Sequence, residues 1–328
     1  MVEIAICRSD AESFGRQIQS VAPGEVHVLP LRGGHPSDPS IASAVIAVYG
    51  PFDGPASFRD LIAGMPMLRW IHSTSAGIDD FASLELLERG IHITNSSGVY
   101  APPMVEYVIA MLVSVLRDLP TWLDGQRNHV WLPPETCTGS ELHGKRLGVV
   151  GYGKVGRHLT FACRALGMEV WACGPRKPRS IHEEPLNRFL SPADLPEMLE
   201  ACDFVVIAAP LTSVTRGMIR WDELSRMKSS SILVNIARGP IIEEDALVKA
   251  LREGRIRTAI LDVTSVEPLP GDSPLWDTPN LLITPHISGG DTREGLQRAM
   301  DLFCANLGLF LDGKLDQMTN IVDLREHL

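Results

Sequence analysis

The sequence predicts an α/β protein built on doubly wound parallel sheets. Short apolar runs alternate with amphipathic stretches along almost the whole chain, which is the pattern of strands and helices around a parallel sheet. A glycine-rich segment, Gly151-Tyr-Gly153-Lys-Val-Gly156, directly follows one apolar run and is typical of the first turn of a dinucleotide-binding fold. Because 328 residues are too many for one hydrophobic core, we expect two domains.

The first hundred residues predict five strands and three helices. The strands are expected at Glu3–Ile6, Val26–Leu31, Ala44–Tyr49, Arg69–His72 and His92–Thr94. The helices are expected at Ala11–Ser20, Ser57–Ala63 and Ser83–Arg89. A longer, mostly apolar helix is predicted over Met104–Arg117, with Pro102 and Pro103 before it and Pro120 ending it. Its apolar character indicates a helix buried between the two domains.

A second series of strands and helices starts at Arg146. Six apolar runs predict the strand order 3-2-1-4-5-6 of the dinucleotide-binding fold, at Arg146–Val150, Glu169–Cys173, Phe204–Ala208, Ser231–Ile236, Thr258–Val263 and Leu281–Thr284. A final helix, about Thr292 to Leu311, is expected to pack on the first domain. We therefore predict a discontinuous substrate-binding domain over residues 1–100 and 290–328, and a dinucleotide-binding domain over residues 101–289.

Charge and composition exclude several classes of function. The net charge of −10 argues against a nucleic-acid partner, because no extended basic face is available for phosphates. The N-terminus lacks the features of a signal peptide, and no run of about 18 apolar residues predicts a membrane span. The six cysteines are scattered without a Cys-x-x-Cys pair, which indicates buried thiols rather than a metal site. We expect a cytoplasmic protein with no membrane partner.

The glycine segment predicts a dinucleotide site because of its context. It follows a predicted strand and opens a predicted helix, Val155–Leu166, so the glycines permit a tight turn and a close approach of the pyrophosphate to the helix N-terminus. A plain strand–turn–helix connection without a ligand is the alternative interpretation.

The residue that would read the adenosine ribose points to NADP(H) rather than NAD(H). About 20 residues after the glycine turn, NAD-binding folds carry Asp or Glu, whereas this chain has Gly174, followed by Arg176, Lys177 and Arg179. A carboxylate would repel a 2′-phosphate, and the nearby cations would bind one. A solvated basic loop is the alternative.

Three polar side chains follow three of the predicted strands. Arg238, Glu267 and His286 each lie just past an apolar run, and the carboxyl ends of parallel strands meet at one edge of the sheet. A cation, a carboxylate and an imidazole there suit the binding of an anion and the transfer of a proton. Each residue taken alone is equally compatible with a surface or structural role.

Together these segments resemble the D-isomer-specific 2-hydroxyacid dehydrogenases over nearly the whole chain. Besides the glycine turn, the resemblance includes Ser75-Ala-Gly-Ile-Asp79, Met104-Val-Glu106, Ala209-Pro-Leu-Thr212-Ser-Val-Thr215, Val234-Asn-Ile-Ala-Arg-Gly239, Leu261-Asp-Val263, Glu267-Pro268 and Thr284-Pro-His286. Gly174 departs from the NAD-type pattern and resembles the NADP-using glyoxylate/hydroxypyruvate reductases. A second departure is Ala208-Ala209 before Pro210, where many relatives have histidine.

The resemblance implies two Rossmann-like domains with the active site in the cleft between them, and it assigns the site residues. His286 is implied as the proton donor to the carbonyl oxygen, Glu267 as its orienting partner and Arg238 as the group that holds the substrate carboxylate. The amides of Ser75, Ala76 and Gly77 would complete the carboxylate site, and Asp262 would orient the nicotinamide. The remaining cofactor contacts are implied at Tyr152, Gly153, Lys154, Val155, Gly174, Arg176, Lys177, Arg179, Ala209, Pro210, Thr215, Ile236, Ala237, His286 and Gly289.

The implied reaction is the reduction of a small 2-oxoacid, such as glyoxylate or hydroxypyruvate, to the D-2-hydroxyacid. Phosphoglycerate-specific relatives carry arginine where this chain has Ser73, and formate-oxidising relatives carry glutamine in place of Glu267. Relatives are commonly dimers that use the long helix and the segment near Trp131, so a homodimer is expected. The alternatives are a dehydrogenase for a larger 2-hydroxyacid, or a cofactor-sensing binding protein of the corepressor type.

Overall fold

The chain divides into two units, each built on one parallel sheet. A computed structural model describes residues 1–8, 11–31, 39–50, 58–78, 81–136, 139–178, 185–290 and 292–326. The first unit comprises Met1–Val99 and Thr292–Leu328, and the second comprises Tyr100–Asp291. The described helices include none that is both long and apolar enough to cross a membrane.

The first unit contains a five-stranded sheet. Its strands are β1 (Val2–Cys7), β2 (Val26–Pro30), β3 (Ile46–Tyr49), β4 (Trp70–Ser73) and β5 (His92–Asn95), and its first helices are α1 (Ala11–Val21), α2 (Phe58–Ala63) and α3 (Leu84–Glu88). The strand order is β2-β1-β3-β4-β5, and each neighbouring pair is parallel. These elements confirm the strands and helices predicted for this part of the sequence to within two residues at each end.

The second unit begins with two helices and continues with a seven-stranded sheet. The helices are α4 (Ala101–Leu116), α5 (Leu119–Arg127), α6 (Lys154–Ala165), α7 (Leu195–Ala201), α8 (Trp221–Arg226) and α9 (Glu244–Arg252). The strands are β6 (Arg146–Val150), β7 (Glu169–Cys173), β8 (Arg188–Leu190), β9 (Phe204–Ile207), β10 (Ile232–Asn235), β11 (Thr258–Leu261) and β12 (Leu281–Ile283). Their order is β12-β11-β10-β9-β6-β7-β8. The last helix, α10 (Arg293–Leu311), belongs to the first unit.

The predicted count of six strands is wrong because it missed β8. Arg-Phe-Leu is too short and too polar to show as an apolar run, and β8 lies at the edge of the sheet, paired with β7 alone. The strand at Phe204 is therefore the fourth of this unit, and it pairs with β6. This pairing places the reversal of strand order between β6 and β9, which is where such sheets bind ligands.

The prolines lie at the beginning and after the end of the long helix, as predicted, but the helix starts three residues earlier than expected and a second helix follows it. Pro102 and Pro103 lie inside the first turn of α4, and Pro120 lies in the first turn of α5, a helix that was not predicted from the sequence. The amides of a first turn have no intrahelical acceptor, so proline costs little there. Pro120 therefore marks the beginning of a helix as well as the end of the previous one.

Both faces of each sheet are buried. In β9 the side chains alternate, so that Val205 and Ile207 pack in one core and Phe204 and Val206 in the other. In the first unit, α10 packs Phe303 and Phe310 over Trp70 with ring centroids 5.2 and 5.4 Å from the indole. Sheets covered on both faces read as continuous apolar runs, which is why the strands were visible in the sequence.

The described cysteines are free thiols, and most are buried. Cys7, Cys163, Cys173 and Cys202 are buried and Cys304 is half-buried, while Cys137 lies outside the described residues. Burial raises the pKa of the Cys7 thiol to about 12. The prediction that the cysteines pack as small apolar side chains is confirmed for these residues.

Candidate active site

The glycine turn after β6 has a geometry that requires glycine at two positions. Gly151 has φ +101°, and a Cβ there would lie 2.5 Å from the backbone nitrogen of Ala209. A Cβ on Gly156 would lie 2.4 Å from the carbonyl oxygen of Gly151. The turn is thus pressed against the residues that follow β9, at the point where the strand order reverses.

The N-terminus of α6 leaves space for a ligand. Gly153 is the N-cap of α6, and among the described residues a Cβ on Gly153 would meet no atom within 4 Å. The helix continues through Lys154 and Val155, both predicted as cofactor contacts, with Tyr152 just before the cap. Free amides at a helix N-terminus bind phosphate, so this turn fits the pyrophosphate of a dinucleotide.

The segment after β7 carries a glycine where an NAD-type site would carry an acid. A Cβ on Gly174 would make ordinary contacts, 3.6 Å from the backbone nitrogen of Tyr152 and 3.8 Å from Cζ of Phe189. Arg176 and Lys177 are exposed beyond it, and Arg179 lies outside the described residues. A side chain at position 174 would therefore lie next to the glycine turn.

The loop after β9 is held together by two threonines. The Thr215 hydroxyl donates to the carbonyl oxygen of Pro210 at 2.7 Å, and the Thr212 amide donates to Thr215 Oγ1 at 2.8 Å. The side chain of Thr215, a predicted cofactor contact, thus forms hydrogen bonds within its own loop. Ala209, at the start of the loop, is buried against the glycine turn.

Arg238 lies in a turn that Asn235 shapes. The Asn235 side chain is buried, donates to the Arg238 carbonyl oxygen at 2.9 Å and accepts from the Ala237 amide at 3.0 Å. Ile236, between them, is buried and Ala237 is half-buried. A Cβ on the next residue, Gly239, would lie 2.0 Å from the carbonyl carbon of Thr264. The turn that carries Arg238 is therefore packed directly on the loop that leads to Glu267.

Glu267 and His286 form a hydrogen-bonded pair. His286 Nδ1 lies 2.7 Å from Glu267 Oε2, and the Thr264 amide donates to the other oxygen, Oε1, at 3.0 Å. Both side chains are part-exposed, His286 by 49% and Glu267 by 37%. Because Nδ1 faces the carboxylate, Nε2 is the nitrogen that remains to exchange a proton with a substrate.

The backbone around His286 is held by Asp262. His286 has φ +53°, an unusual conformation for a residue other than glycine, and its amide donates to the Asp262 carbonyl oxygen at 2.8 Å. The Asp262 carboxylate is buried and accepts from the amides of Ile287 and Ser288 at 2.8 and 2.9 Å. Gly289, a predicted cofactor contact, follows this loop, and a Cβ there would lie 3.5 Å from Cβ of Tyr100.

The residues predicted to complete the carboxylate site lie in the first unit, after β4. Ser75 and Ala76 are exposed and Gly77 is half-buried. The Ser75 hydroxyl donates to the Gly77 carbonyl oxygen at 3.0 Å, and Asn95 Nδ2 donates to the Ala76 carbonyl oxygen at 2.8 Å. The Ser75 amide donates to Ser73 Oγ at 3.3 Å, so this amide has a hydrogen-bond partner in its own loop.

The second unit corresponds to a known protein family. The family described as D-isomer specific 2-hydroxyacid dehydrogenase, NAD binding domain, matches residues 109–288, which is more than half of the chain. The chain belongs to this family. The predicted family, the pair of parallel α/β sheets and the class of NAD(P)-dependent oxidoreductase are thereby confirmed.

Two relatives and one solved structure show how far the similarity extends. A glyoxylate reductase of Thermofilum pendens is 34% identical over 260 residues, covering 78% of this chain and 76% of that protein. D-3-phosphoglycerate dehydrogenase of Methanocaldococcus jannaschii is 31% identical over 81% of this chain, which spans about half (49%) of that longer protein. The D-isomer specific 2-hydroxyacid dehydrogenase of Xanthobacter autotrophicus, crystallised with NADPH and MES, has a TM-score of 0.80 at 27% identity, covering 100% of this chain and 99% of that one.

Several residues that shape the dehydrogenase site were not found by sequence reasoning. Asn235, Thr264, Thr284 and Tyr107 each donate or accept a hydrogen bond that fixes a loop of the site. An asparagine between a buried strand and a glycine turn is a recognisable signal, because its side chain can bond the backbone two or three residues on. Tyr107 offered no such signal, since it contacts Thr284 across 177 residues of sequence.

Proposed function

We propose that this dehydrogenase reduces a small 2-oxoacid of the glyoxylate or hydroxypyruvate type to the D-2-hydroxyacid, with NADPH preferred over NADH. The observation that carries the proposal is the pair formed by His286 Nδ1 and Glu267 Oε2 at 2.7 Å. It lies at the same sheet edge as Arg238, since β10, β11 and β12 are parallel neighbours. The similar glyoxylate reductase of Thermofilum pendens supports this choice of substrate.

The proposed roles follow from the chemistry of each group. Glu267 orients the imidazole through Nδ1 and stabilises its protonated form, so that Nε2 donates a proton to the carbonyl oxygen as negative charge develops there. Arg238 binds the substrate carboxylate with its planar guanidinium, which matches two carboxylate oxygens. A bound nicotinamide cofactor supplies the hydride. In the reverse direction the same imidazole, deprotonated, accepts the proton of the hydroxyl group.

The proposed preference for NADPH is supported by the residues after β7. Gly174 leaves the position next to the turn without a carboxylate, and Arg176 and Lys177 follow it as exposed cations. A guanidinium or ammonium group stabilises a phosphate dianion by a charge-assisted bond. The similar Xanthobacter autotrophicus dehydrogenase was crystallised with NADPH, which also supports the proposal.

A small, unphosphorylated substrate is favoured by Ser73. Its side chain is buried, and its hydroxyl donates to the Gly77 carbonyl oxygen at 3.2 Å and lies 3.0 Å from Ser75 Oγ. A neutral hydroxyl engaged in its own loop provides no charge for a substrate phosphate. The phosphoglycerate dehydrogenase relative is therefore a weaker guide to the substrate than the glyoxylate reductase.

A screen of 2-oxoacids with each cofactor tests the proposal. Oxidation of NADPH and NADH is followed by absorbance with glyoxylate, hydroxypyruvate, pyruvate, a branched 2-oxoacid and 3-phosphohydroxypyruvate. We expect the highest kcat/KM with glyoxylate or hydroxypyruvate and NADPH. A higher kcat/KM with the branched or phosphorylated acid would contradict the substrate, and cofactor binding without turnover of any acid would indicate a sensor instead of an enzyme.

We also propose that the protein is a cytoplasmic homodimer. Exposed apolar side chains on and around α4 and α5 support a second copy as the occupant of this surface: Val113, Leu119, Leu123, Val130 and Trp131, the last 93% exposed. Large exposed aromatic side chains are common at the centre of protein interfaces. The free thiols of the five described cysteines support a reducing compartment, which fractionation of the source cells would test.

A further inference from the structure

A partly buried series of hydrogen bonds leads from α4 to the loop that carries His286. Tyr107 Oη lies 2.6 Å from Thr284 Oγ1, and the Thr284 hydroxyl donates to Asp262 Oδ1 at 2.7 Å. The same Asp262 oxygen accepts from the Ile287 amide, and the other accepts from the Ser288 amide. The carboxylate of Asp262 thus connects Thr284, which precedes His286 by two residues, to the two residues that follow it.

The direction of this chain is determined by the number of hydrogens on each group. A threonine hydroxyl has one hydrogen, and a carboxylate is only an acceptor. Since Thr284 donates its hydrogen to Asp262, its oxygen must accept from Tyr107. Burial, opposed in part by the bond to Thr284, raises the pKa of Tyr107 to about 12, so its hydroxyl stays protonated and remains a donor at every ordinary working pH.

We propose that Tyr107 is a positioning residue of the reaction, which acts through Thr284 and Asp262 to hold His286 in the left-handed conformation that pairs it with Glu267. A residue other than glycine with positive φ is strained and persists when its surroundings hold it from several sides. Here the His286 amide donates to the Asp262 carbonyl oxygen, and the amides of the next two residues, Ile287 and Ser288, donate to the Asp262 carboxylate. Tyr107 fixes that carboxylate from an element far from it in sequence.

The assignment rests on the proposed function for its kinetic consequences, but the geometry itself is independent of the substrate. Tyr107→Phe removes one donor and keeps the ring. Loss of one such bond is expected to lower kcat for 2-oxoacid reduction by on the order of three- to tenfold. The Kd of NADPH should not change.

Variants of Thr284 and Val108 separate positioning from a general loss of stability. Thr284→Val removes the middle hydroxyl and should reduce kcat at least as much as Tyr107→Phe, whereas Thr284→Ser should restore nearly normal kcat. The double variant Tyr107→Phe, Thr284→Val should be no slower than Thr284→Val, because both act on one chain. Val108→Ala is the control, since Val108 is fully buried on the same helix. Its truncation should lower Tm and leave the hydrogen bonds of Tyr107, Thr284 and Asp262 intact.

The decisive readouts are kcat and the ring nitrogens of His286. Two-bond nitrogen-15 spectra of histidine-labelled protein, assigned with His286→Ala, report the Nδ1 bond in the absence of substrate. Tyr107→Phe should change the Nδ1 signal and Val108→Ala should not. The proposal is overturned if Tyr107→Phe matches wild type or Val108→Ala in these readouts. It is also overturned if the effects of the two hydroxyl deletions on kcat are independent, so that the double variant is slower than either single variant. If wild type reduces none of the acids, the proposed function fails, while the nitrogen spectra still decide the role of Tyr107.

Discussion

At the scale of single residues, the site depends on which atom of each group remains available. The Nδ1–Glu267 bond leaves Nε2 of His286 as the atom that can exchange a proton, and 49% of the imidazole side chain is exposed. The side chain of Asn235 holds the backbone of the turn that carries Arg238, and Nη1 of the Arg238 guanidinium donates to the Ala237 carbonyl oxygen at 2.8 Å. Two predictions follow from these particular atoms, one for proton transfer and one for anion binding.

The first prediction concerns His286 and Glu267. His286→Ala should lower kcat for 2-oxoacid reduction by about 10²-fold or more, the usual scale for the loss of a general acid, with little change in the Kd of NADPH. In Glu267→Gln the imidazole loses the carboxylate that Nδ1 bonds at 2.7 Å, so kcat should fall there as well. Steady-state kinetics of the two variants measure both effects. Equal turnover by wild type and His286→Ala would remove His286 from the reaction.

The second prediction concerns Arg238. Arg238→Lys keeps the charge but loses the planar pair of donors, so KM for glyoxylate should rise strongly and kcat should fall. Lys314→Arg, the reverse exchange at an exposed position of the first unit, is the matched control and should leave KM for glyoxylate unchanged. Normal kinetics of Arg238→Lys with glyoxylate would show that another group binds the carboxylate.

At the scale of elements, the site depends on close contacts between loops that follow neighbouring strands. The turn after β6 contacts the residues after β9, and the turn after β10 contacts the loop after β11, in each case through a glycine with no space for a Cβ. These contacts determine where the loops end up, because each glycine lets one backbone approach another. One prediction concerns the contact at Gly239, and another concerns Gly174 in the segment after β7.

The third prediction is that Gly239→Ala damages both stability and activity. The new Cβ would lie 2.0 Å from the Thr264 carbonyl carbon, so the two loops must separate at a cost of about 1–3 kcal/mol in the free energy of unfolding. The separation would also disturb the Thr264 amide that bonds Glu267. Gly271→Ala is the control, since its Cβ would meet no described atom within 4 Å. Denaturant unfolding and kcat check it, and equal values for the two variants would contradict it.

The fourth prediction concerns Gly174, the glycine that follows β7. Gly174→Asp with Arg176→Ala should reverse the proposed preference for NADPH, because a carboxylate would then repel the 2′-phosphate and accept from the ribose hydroxyls. One charge-assisted bond of ~1.5–3 kcal/mol corresponds to a tenfold or greater preference. Since Arg176 is exposed, screening should place the effect near the low end and make it sensitive to salt.

The ratio of kcat/KM with NADPH and NADH, measured at low salt, checks this prediction. Gly174→Ala is the control for the added Cβ, which the ordinary contacts at this position should tolerate. Equal efficiency of wild type with the two cofactors at low salt would refute the proposed preference. An unchanged ratio in the double variant would show that other residues bind the 2′-phosphate.

At the scale of the whole molecule, an acidic chain uses local cations to bind an anion. With a net charge of −10, the field of the whole protein does not attract an anion, so a carboxylate substrate needs a local cation, and Arg238 is the proposed one. Raising the ionic strength should therefore weaken binding of the 2-oxoacid more than it changes the oligomeric state, because the surface proposed for the second copy is apolar.

The fifth prediction concerns that surface. Trp131→Arg should convert the proposed homodimer to a monomer, because a charge replaces a 93% exposed indole at the proposed contact. Met67→Arg, at a 59% exposed apolar side chain of the first unit, is the matched control and should leave the oligomer unchanged. Light scattering coupled to size-exclusion chromatography measures both masses. A wild type that elutes as a monomer would exclude the homodimer.

The sequence by itself determined the features whose cause is local. Strands buried on both faces are continuous apolar runs, and the turn at Gly151 shows as glycines between a strand and a helix, so the fold class and the family could both be predicted. The roles of Arg238, Glu267 and His286 stay predictions, although their positions after three strands were visible. Where the signal was short or ambiguous, as for β8 and for Pro120 at the beginning of α5, the prediction was wrong.

Only the tertiary structure decided the contacts between segments distant in sequence. Glu267 and His286 are separated by 19 residues, Gly239 packs on Thr264, and Tyr107 bonds Thr284 across 177 residues. Such contacts depend on strand order and on the distance between backbones, and neither quantity leaves a pattern in the local sequence. The sequence therefore specified which chemical groups are present, and the order of the strands decided which of their atoms meet.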